Sequence, residues 1–247
     1  MIRDFLSAIR FLTVFPLSSD PSTKPDTLAR SMLFFPAVGL LIGALSVGFF
    51  MIAQSFLPPR VAVLALLVAP ILISGGLHVD GFADFCDGFF GGKDKSGILR
   101  IMKDSRIGAW GALGIALLVL IKFELLQTLP DRTVIFLLAM AASRWAQVVL
   151  SFFLPYAGSE NGMGNLVAGK VLIRELSGAT LFLLFAVLAA GKRGLIIFTV
   201  LLAFLFLLGL FFKNRVGGVT GDLLGAASEL TEVFIFLTAT LGARSYE

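Results

Sequence analysis

Long apolar runs separated by short polar segments dominate the chain from residue 31 to its end. A helical run of about 20 residues crosses a hydrocarbon core of about 30 Å. We therefore predict an all-α fold: a polytopic integral membrane helical bundle with about seven transmembrane helices, forming one membrane-embedded domain over residues 1–247. The second run is short and the last is weak, so about six or eight spans stay open. The predicted spans are 31–57, 61–77, 107–129, 132–154, 172–190, 194–212 and 222–241.

The first residues of the chain follow a different pattern. Between residues 2 and 14, apolar side chains recur at helical spacing and charged side chains lie between them. This pattern predicts an N-terminal amphipathic helix lying in the membrane interface. The apolar positions are Ile2, Phe5, Leu6, Ile9 and Leu12, and the charged ones are Arg3, Asp4 and Arg10.

Composition supports the membrane assignment. The chain is 57% hydrophobic and only 15% charged, with a mean hydropathy of +0.96, which excludes a soluble globular protein. The formal net charge of +4 is typical of cationic cytoplasmic loops, so we expect no nucleic-acid partner. Most lysines and arginines outside the spans fall on the side of the amino terminus. This asymmetry predicts a multi-pass protein of the cell (inner) membrane with a cytoplasmic amino terminus.

An acidic motif follows the second apolar run, in the segment GGLHVDGFADFCDGFFGG at residues 75–92. If the segment is helical, Asp80, Asp84 and Asp87 form one stripe opposite a phenylalanine face. Carboxylates about 6 Å apart repel by about 3 kcal/mol per pair at an effective dielectric near 20, which favours a bound cation. Oxygen ligands favour Mg²⁺ or Mn²⁺. The alternative, a solvated helix face, fits less well beside an apolar run and flanking glycines.

Two basic segments are candidates for binding phosphate. Lys103 and Arg106 lie one helical turn apart next to the acidic motif, although they would also serve as positive anchors of the third span. The segment KNRVGGVTGD at residues 213–222 offers a glycine-rich turn before a helix, an arrangement that attracts phosphate. In this segment Thr220 is placed to cap the helix, and Asp222 is a further candidate metal ligand. The other phosphate-binding candidates here are Lys213, Arg215, Gly217 and Gly218.

Ionisable residues also occur inside the predicted spans. Their burial in a membrane is costly unless they pair, so we expect Glu229 to pair with Arg144 or Lys122 and to position helices beneath the site. A purely structural ion pair is the alternative. His78, the single histidine, is a candidate general base or metal ligand, and a packed, hydrogen-bonded histidine is equally compatible with the sequence. The polar segment at residues 155–170 is a candidate lid or acceptor-binding loop.

Three motifs at matching spacing resemble the cobalamin synthase family, the adenosylcobinamide-GDP ribazoletransferases. They are GGLHVDGFADFCDGFFGG, IMKDSRIGAWGALG and GGVTGDLLGA. The resemblance implies a polytopic, Mg²⁺-using enzyme that joins adenosylcobinamide-GDP to α-ribazole or its 5′-phosphate, with release of GMP. It also implies that Asp80 is the essential acid of the motif.

These expectations combine into a mechanism. Mg²⁺ held by Asp80, Asp84, Asp87 and Asp222 would neutralise the diphosphate, and an aspartate or His78 would accept the hydroxyl proton. The nearest alternative enzyme is a CDP-alcohol phosphotransferase, which expects an Ala-Arg pair after its first Asp-Gly. A cation transporter is the alternative from another class, but it expects pseudo-repeated halves. Membrane lipid is an expected partner, and the oligomeric state is left open.

Overall fold

A computed structural model describes residues 1–16, 25–158 and 163–241 of the protein. In these ranges all regular secondary structure is helical, and the one β interaction is an isolated parallel bridge between Tyr156 and Val219. The predicted all-α class is confirmed. The helices are α1 (Ile2–Leu12), α2 (Pro25–Ser31), α3 (Phe35–Gln54), α4 (Pro59–Ala62), α5 (Leu64–Ile73), α6 (Leu77–Gly91), α7 (Lys95–Ile101), α8 (Ala109–Thr128), α9 (Arg132–Phe153), α10 (Ile173–Ala189), α11 (Gly191–Val216) and α12 (Gly221–Leu241), with 3-10 turns at Met32–Phe34 and Met163–Leu166.

The number of spans is close to the prediction but not identical to it. Five described helices are long and apolar enough to cross a membrane, and a sixth span results if a bent pair counts as one. The pair joins Pro59–Ile73 to Leu77–Gly91 at an angle of 88°. α10 has 17 residues, which gives it a length of about 26 Å. The protein is therefore a membrane protein whose count of seven spans is approximate.

The predicted second span, 61–77, ends earlier than expected because two glycines interrupt it. α5 stops at Ile73, and Gly75 and Gly76 adopt φ values of +64° and +75°. Residues with side chains rarely adopt this left-handed conformation, whereas glycine does so without strain. The chain turns here and α6 leaves in a new direction. This turn carries the acidic motif away from the axis of the preceding helix.

The amino-terminal segment forms the predicted helix. α1 buries Ala8 and Leu12 completely, while Met1 and Ile2 stay exposed. Phe11 stacks on Phe35 with 5.8 Å between ring centroids. α1 is therefore fixed against the start of α3, on the side of the bundle where α6 begins.

α9 lies at the centre of the bundle and contacts α3, α10 and α12. Close approach to α3 depends on Gly39, because a Cβ built there would lie 2.2 Å from the carbonyl oxygen of Met140. At the periphery, Phe206 and Leu207 of α11 are 67% and 63% exposed. Large apolar side chains in such numbers on the outside are typical of a surface that faces lipid.

α6 and α12 cross closely at two glycines. A Cβ built on Gly81 would lie 2.7 Å from the carbonyl oxygen of Asp222, and one built on Gly225 would lie 3.3 Å from the Cα of His78. Small residues at a helix crossing let the two backbones approach each other. The crossing sets the acidic motif of α6 directly against the first turn of α12.

Candidate functional site

A cavity of about 280 Å³ opens where α6, α9, α12 and their connecting loops meet. We call it the acidic cavity, because two of its lining residues, Asp80 and Asp222, are acids. Its volume is slightly below the range of about 300–1,000 Å³ that is common for small-molecule sites. Its other polar lining residues are His78, Lys103, Gln147, Tyr156 and Thr220, and its apolar walls include Phe11, Met32, Phe35, Leu99, Met102 and Val167.

The acidic stripe of α6 contributes to the cavity at one end only. Asp80 lines the cavity. Asp84 lies one turn further along the helix, within electrostatic range of Asp222, Asp80 and Asp87. In the described part of the chain, none of Asp80, Asp84 and Asp222 forms an ion pair with a basic side chain. Within the described ranges, the carboxylates beside the cavity are therefore not neutralised by a paired basic side chain.

Asp87 faces away from the cavity and holds the start of α8. Its two carboxylate oxygens accept hydrogen bonds from the backbone amides of Gly108, at 2.7 Å, and Gly111, at 2.8 Å. Both glycines are required here, because a Cβ on either one would lie 2.3 Å from an Asp87 oxygen. A carboxylate at a helix amino terminus satisfies amides that lack intrahelical partners and interacts favourably with the helix dipole.

The rim of the cavity is built from two connections, α9–α10 and α11–α12, which contact each other closely. The amide of Val219 donates to the carbonyl of Pro155 at 3.0 Å, and the amide of Ala157 donates to the carbonyl of Val219 at 2.9 Å. A Cβ on Gly164 would lie 2.6 Å from the backbone nitrogen of Gly221, so a later part of the α9–α10 connection packs equally closely. The segment 155–170, predicted to be a lid or an acceptor-binding loop, contributes Tyr156, Gly158, Gly164 and Val167 to the wall, although its residues 159–162 lie outside the described ranges.

Tyr156 belongs to this rim and is sensitive to the acids beside it. Burial first, and then the charge of Asp222, raises the pKa of the Tyr156 phenol. The phenol therefore remains protonated near neutral pH, since its ordinary pKa is already about 10. Tyr156 can donate a hydrogen bond at the mouth of the cavity.

The two basic residues predicted to bind phosphate next to α8 have different surroundings. Lys103 lines the acidic cavity. Arg106 instead forms a two-pronged pair with Asp104, with its Nε at 3.1 Å and its Nη2 at 2.8 Å from the carboxylate oxygens. Hydrogen bonds from Arg106 lower the pKa of the Asp104 carboxyl to about 2. Lys103 is thus available to a ligand in the cavity, while Arg106 is engaged at the surface.

The glycine-rich segment before α12 forms the turn that the sequence predicts. Gly217 ends α11 with φ +86°, and a Cβ on Gly218 would lie 2.1 Å from the carbonyl oxygen of Pro155. The hydroxyl of Thr220 accepts a hydrogen bond from the amide of Leu223 at 3.2 Å, which confirms its predicted role as a cap. Thr220 and Asp222 reach the cavity, whereas Gly217 and Gly218 shape the turn behind it.

The basic side chains of this segment lie outside the cavity. Lys213 borders an apolar groove of about 360 Å³ between α9 and α11, together with Trp145 and Phe206. The guanidinium of Arg215 lies over the ring of Phe89, 5.6 Å from its centroid. Neither residue lines the acidic cavity, so their predicted binding of phosphate is not supported by their position.

A network of buried charges lies beneath the cavity. Lys122 of α8 contacts Glu229 and lies 2.6 Å from Glu232, both on α12. Arg144 of α9 donates to Glu232 at 2.5 Å. The expectation that Glu229 pairs with Lys122 or Arg144 is confirmed for Lys122. Two cations and two anions balance one another and connect α8, α9 and α12, as burial of charge in a membrane requires.

His78 joins this network at the boundary with the cavity. It is 3% exposed, and its Nδ1 lies 3.4 Å from Nη2 of Arg144. α6 runs through Gly81 without a break, so His78 enters the cavity wall by the closeness of α6 and α12 and not through a helix interruption. Gln147, one turn beyond Arg144, was not singled out from the sequence. The sequence feature that could have identified it is a polar residue in an apolar span, three positions after Arg144.

The carboxylates around the cavity fit a magnesium ion that is coordinated jointly by protein side chains and substrate phosphates. In the described ranges, no group of three or more His, Cys, Asp or Glu side chains is arranged to hold a metal ion. Magnesium, however, often uses one or two carboxylates together with substrate phosphates and water. Asp80 and Asp222 supply two such carboxylates in one cavity, and Asp84 lies close by.

Fold and site together define a polytopic helical membrane protein with an acid-lined cavity suited to a phosphate-bearing ligand. Comparison with known proteins narrows this class. The family model for Cobalamin-5-phosphate synthase matches residues 4–240, and the chain belongs to this family of cobalamin-synthesising transferases. The family resemblance in the three motifs is confirmed. No solved structure shows significant similarity to the chain.

Individual relatives carry one name. A protein of Escherichia coli (strain K12 / DH10B) is 37% identical over 251 residues, which cover 98% of this chain and 100% of that protein. Proteins of Clostridium botulinum (strain Okra / Type B1) and Chlorobium phaeobacteroides (strain BS1) are each 35% identical over 243 residues, covering 96% of this chain and 97% of theirs. All three are named adenosylcobinamide-GDP ribazoletransferase.

Proposed function

We propose that the protein is a magnesium-dependent adenosylcobinamide-GDP ribazoletransferase. It joins GDP-activated adenosylcobinamide to α-ribazole or its 5′-phosphate, and it releases GMP. The observation that carries this function is the group of carboxylates at the acidic cavity that form no ion pair in the described ranges, with Lys103 in the same wall. The activity named for relatives that align with the whole chain supports the same reaction. The protein lies in the cell membrane with its amino terminus and cavity on the cytoplasmic side, as the distribution of loop charge indicates.

Different residues of the cavity contribute to binding the diphosphate in different ways. Asp80 and Asp222 would hold Mg²⁺, and bound Mg²⁺ supplies neutralisation of the phosphate charge. The Lys103 ammonium attracts phosphate oxygens directly. Asp84 lies one helical turn from Asp80, outside the lining of the cavity. Asp87 supports this end of the site indirectly, since it fixes the amino terminus of α8 beside the segment that carries Lys103.

The chemistry is a displacement at phosphorus. The ribose hydroxyl of the acceptor attacks the phosphorus that carries the corrinoid ester, the phosphoanhydride bond breaks, and GMP leaves in line. The hydroxyl proton passes to a carboxylate; Asp80 lines the cavity, and Asp84 lies one helical turn away. The residues of the chain thus bind, orient and accept a proton, and no covalent enzyme intermediate is needed.

The volume of the cavity limits what it encloses. About 280 Å³ suits a nucleoside and its phosphates, whereas a corrin ring is far larger. The corrin ring therefore stays outside, and its aminopropanol arm delivers the diphosphate into the cavity. The loops at 155–158 and 217–220 contribute Tyr156, Gly158 and Thr220 to the lining of the cavity.

The test is release of GMP by full-length protein purified in detergent. Complete reactions contain adenosylcobinamide-GDP, α-ribazole and Mg²⁺, and matched reactions omit one component or include a chelator. We expect GMP only in the complete reaction, with recovery when Mg²⁺ is restored in excess over the chelator. GMP release that persists in chelator would refute magnesium dependence, and absence of GMP from every reaction would refute the transferase activity.

Two further arms address the alternatives from the sequence. CDP-diacylglycerol with glycerol phosphate tests the CDP-alcohol phosphotransferase activity, and uptake of divalent cations into proteoliposomes tests transport. Membership in the cobalamin synthase family predicts no product and no uptake in these arms. CMP release at a rate comparable to GMP release would contradict the proposed substrate class.

A further inference from the structure

Two buried nitrogens in the wall of the acidic cavity have no hydrogen-bond partner within the described protein. They are Nε2 of His78 and Nε2 of Gln147, and each residue is 3% exposed. Leaving a buried donor without a partner costs about 1–3 kcal/mol. Two such donors in one cavity wall indicate that a ligand supplies the acceptor.

The contact with Arg144 fixes which nitrogen of His78 carries the proton. Nη2 of Arg144 lies 3.4 Å from Nδ1 of His78. A guanidinium has five N–H donors, no acceptor, and a permanent charge. The lone pair of Nδ1 must therefore face Arg144, and a neutral imidazole then carries its proton on Nε2.

Arg144 is itself held in place. Its Nη1 donates to Glu232 at 2.5 Å and to the Ser143 hydroxyl at 2.7 Å. Because Glu232 compensates its charge, Arg144 acts on His78 as an oriented donor. Glu232 and Arg144 are thus positioning residues that determine the tautomer of His78.

Gln147 extends the donor set along α9. It lies three residues after Arg144, and residues at this spacing are neighbours on a helix surface. Arg144 contacts His78, so the amide of Gln147 lies one helical turn from the residue that orients the imidazole. His78 and Gln147 thus offer two donors without formal charge in the lining of the same cavity.

We infer that His78 and Gln147 form a subsite for an uncharged heteroaromatic ring that bears a proton-free acceptor atom. Nε2 of His78 donates to this atom, so it is neither the general base nor a metal ligand. The buried Met32 and Phe35, 0% and 1% exposed, add apolar wall to the same cavity, whereas Asp80, Asp222 and Lys103 suit the charged phosphates. Resting on the proposed function, the ring is the benzimidazole of α-ribazole, which offers an acceptor nitrogen.

The tautomer is directly measurable because the chain contains one histidine. Full-length protein labelled with ¹⁵N-histidine, carrying an affinity tag free of histidine, gives two imidazole nitrogen signals that need no assignment between residues. Without substrate or metal, we expect a protonated Nε2 and an unprotonated Nδ1. A proton on Nδ1, or on both nitrogens, near neutral pH would overturn the inference. This measurement does not depend on catalysis.

Ligand addition then tests the class of ligand. We expect the Nε2 signal to shift on addition of α-ribazole and to remain unchanged with GMP. A shift with GMP alone, or with neither compound, would overturn the assignment of the subsite to the benzimidazole of α-ribazole.

Matched variants separate a donor from a base. His78→Gln keeps an N–H donor at the end of the side chain, whereas His78→Leu removes it. Loss of one such bond should raise KM for α-ribazole by about 5- to 160-fold in His78→Leu, with KM for adenosylcobinamide-GDP unchanged, and His78→Gln should recover most of the loss. Equal impairment of both variants would overturn the donor role. If wild-type protein released no GMP, the proposed function would fail while the tautomer result stood.

Discussion

In the structure Asp87 stabilises the start of α8, whereas Asp80, in the same stripe, lines the acidic cavity. The replacement Asp87→Asn tests this structural role. The two oxygens of the carboxylate each accept one backbone amide at the start of α8, at 2.7 and 2.8 Å, and the residue is 8% exposed. Asparagine keeps the shape but presents an NH₂ group to one of these amides. The variant loses at least one hydrogen bond to a charged acceptor, worth about 1.5–3 kcal/mol.

The helix dipole adds to this loss. Removing a negative charge at a helix amino terminus costs about 0.3–1 kcal/mol, so the total destabilisation is about 2–4 kcal/mol. For a chain of this length it corresponds to a fall of roughly 4–16 °C in the unfolding midpoint. Thermal unfolding of detergent-purified protein, followed by tryptophan fluorescence, measures it.

Asp80→Asn is the matched control for stability. Asp80 is exposed and, in the described ranges, accepts no hydrogen bond from the protein, so its replacement should leave the midpoint within about 2 °C of wild type. Equal midpoints for Asp87→Asn and wild type would refute the structural role of Asp87. A large fall for Asp80→Asn would show that the stripe acts as a single structural unit.

Three further perturbations test other parts of the site. Lys103→Ala should raise KM for adenosylcobinamide-GDP by about tenfold, equivalent to about 1.4 kcal/mol. Arg106→Ala should change this KM by less than about twofold, because Arg106 is paired at the surface. Equal effects of the two variants in steady-state assays would contradict the different roles of Lys103 and Arg106. Lys122→Met should destabilise the protein by about 3–5 kcal/mol, because it leaves buried carboxylates uncompensated. Adding Glu229→Gln should restore part of the lost stability, measured by thermal unfolding. No recovery of stability in the double variant would argue against the pairing of Lys122 with Glu229. Gly81→Ala should reduce both the midpoint and GMP release, because its Cβ would lie 2.7 Å from the α12 backbone; a variant with wild-type midpoint and activity would refute the close crossing.

The helical architecture was predictable because a membrane imposes it on long apolar runs. Backbone groups in lipid have to be paired within the segment, so each run of about 20 residues forms a helix. The acidic stripe was predictable for a similar reason, since helical periodicity alone places Asp80 and Asp84 on one face. The end of α5 had a local signal as well, in the consecutive Gly75 and Gly76, although the apolar run continued through them to Leu77.

What the sequence left undetermined depends on contacts between distant segments. Asp87 shares the periodicity of Asp80, yet the arrival of the α8 amino terminus gives it a different role. Lys213 and Arg215 precede the predicted turn, but they lie in the last turn of α11, where both are exposed and neither lines the acidic cavity. His78 reaches the cavity only because α6 and α12 approach each other at glycines, which no local pattern of α6 determines.

The most direct test of the central claim, that the carboxylates at the acidic cavity serve a phosphoryl transfer, is the rate of GMP release by the Asp80→Asn protein. Asp131→Asn is the matched control, because Asp131 is 74% exposed and pairs with Arg193 away from the cavity. With saturating substrates and Mg²⁺, we predict a loss of at least about 10²-fold for Asp80→Asn and a rate within about twofold of wild type for Asp131→Asn. A folded Asp80→Asn protein that releases GMP at the wild-type rate would contradict the account.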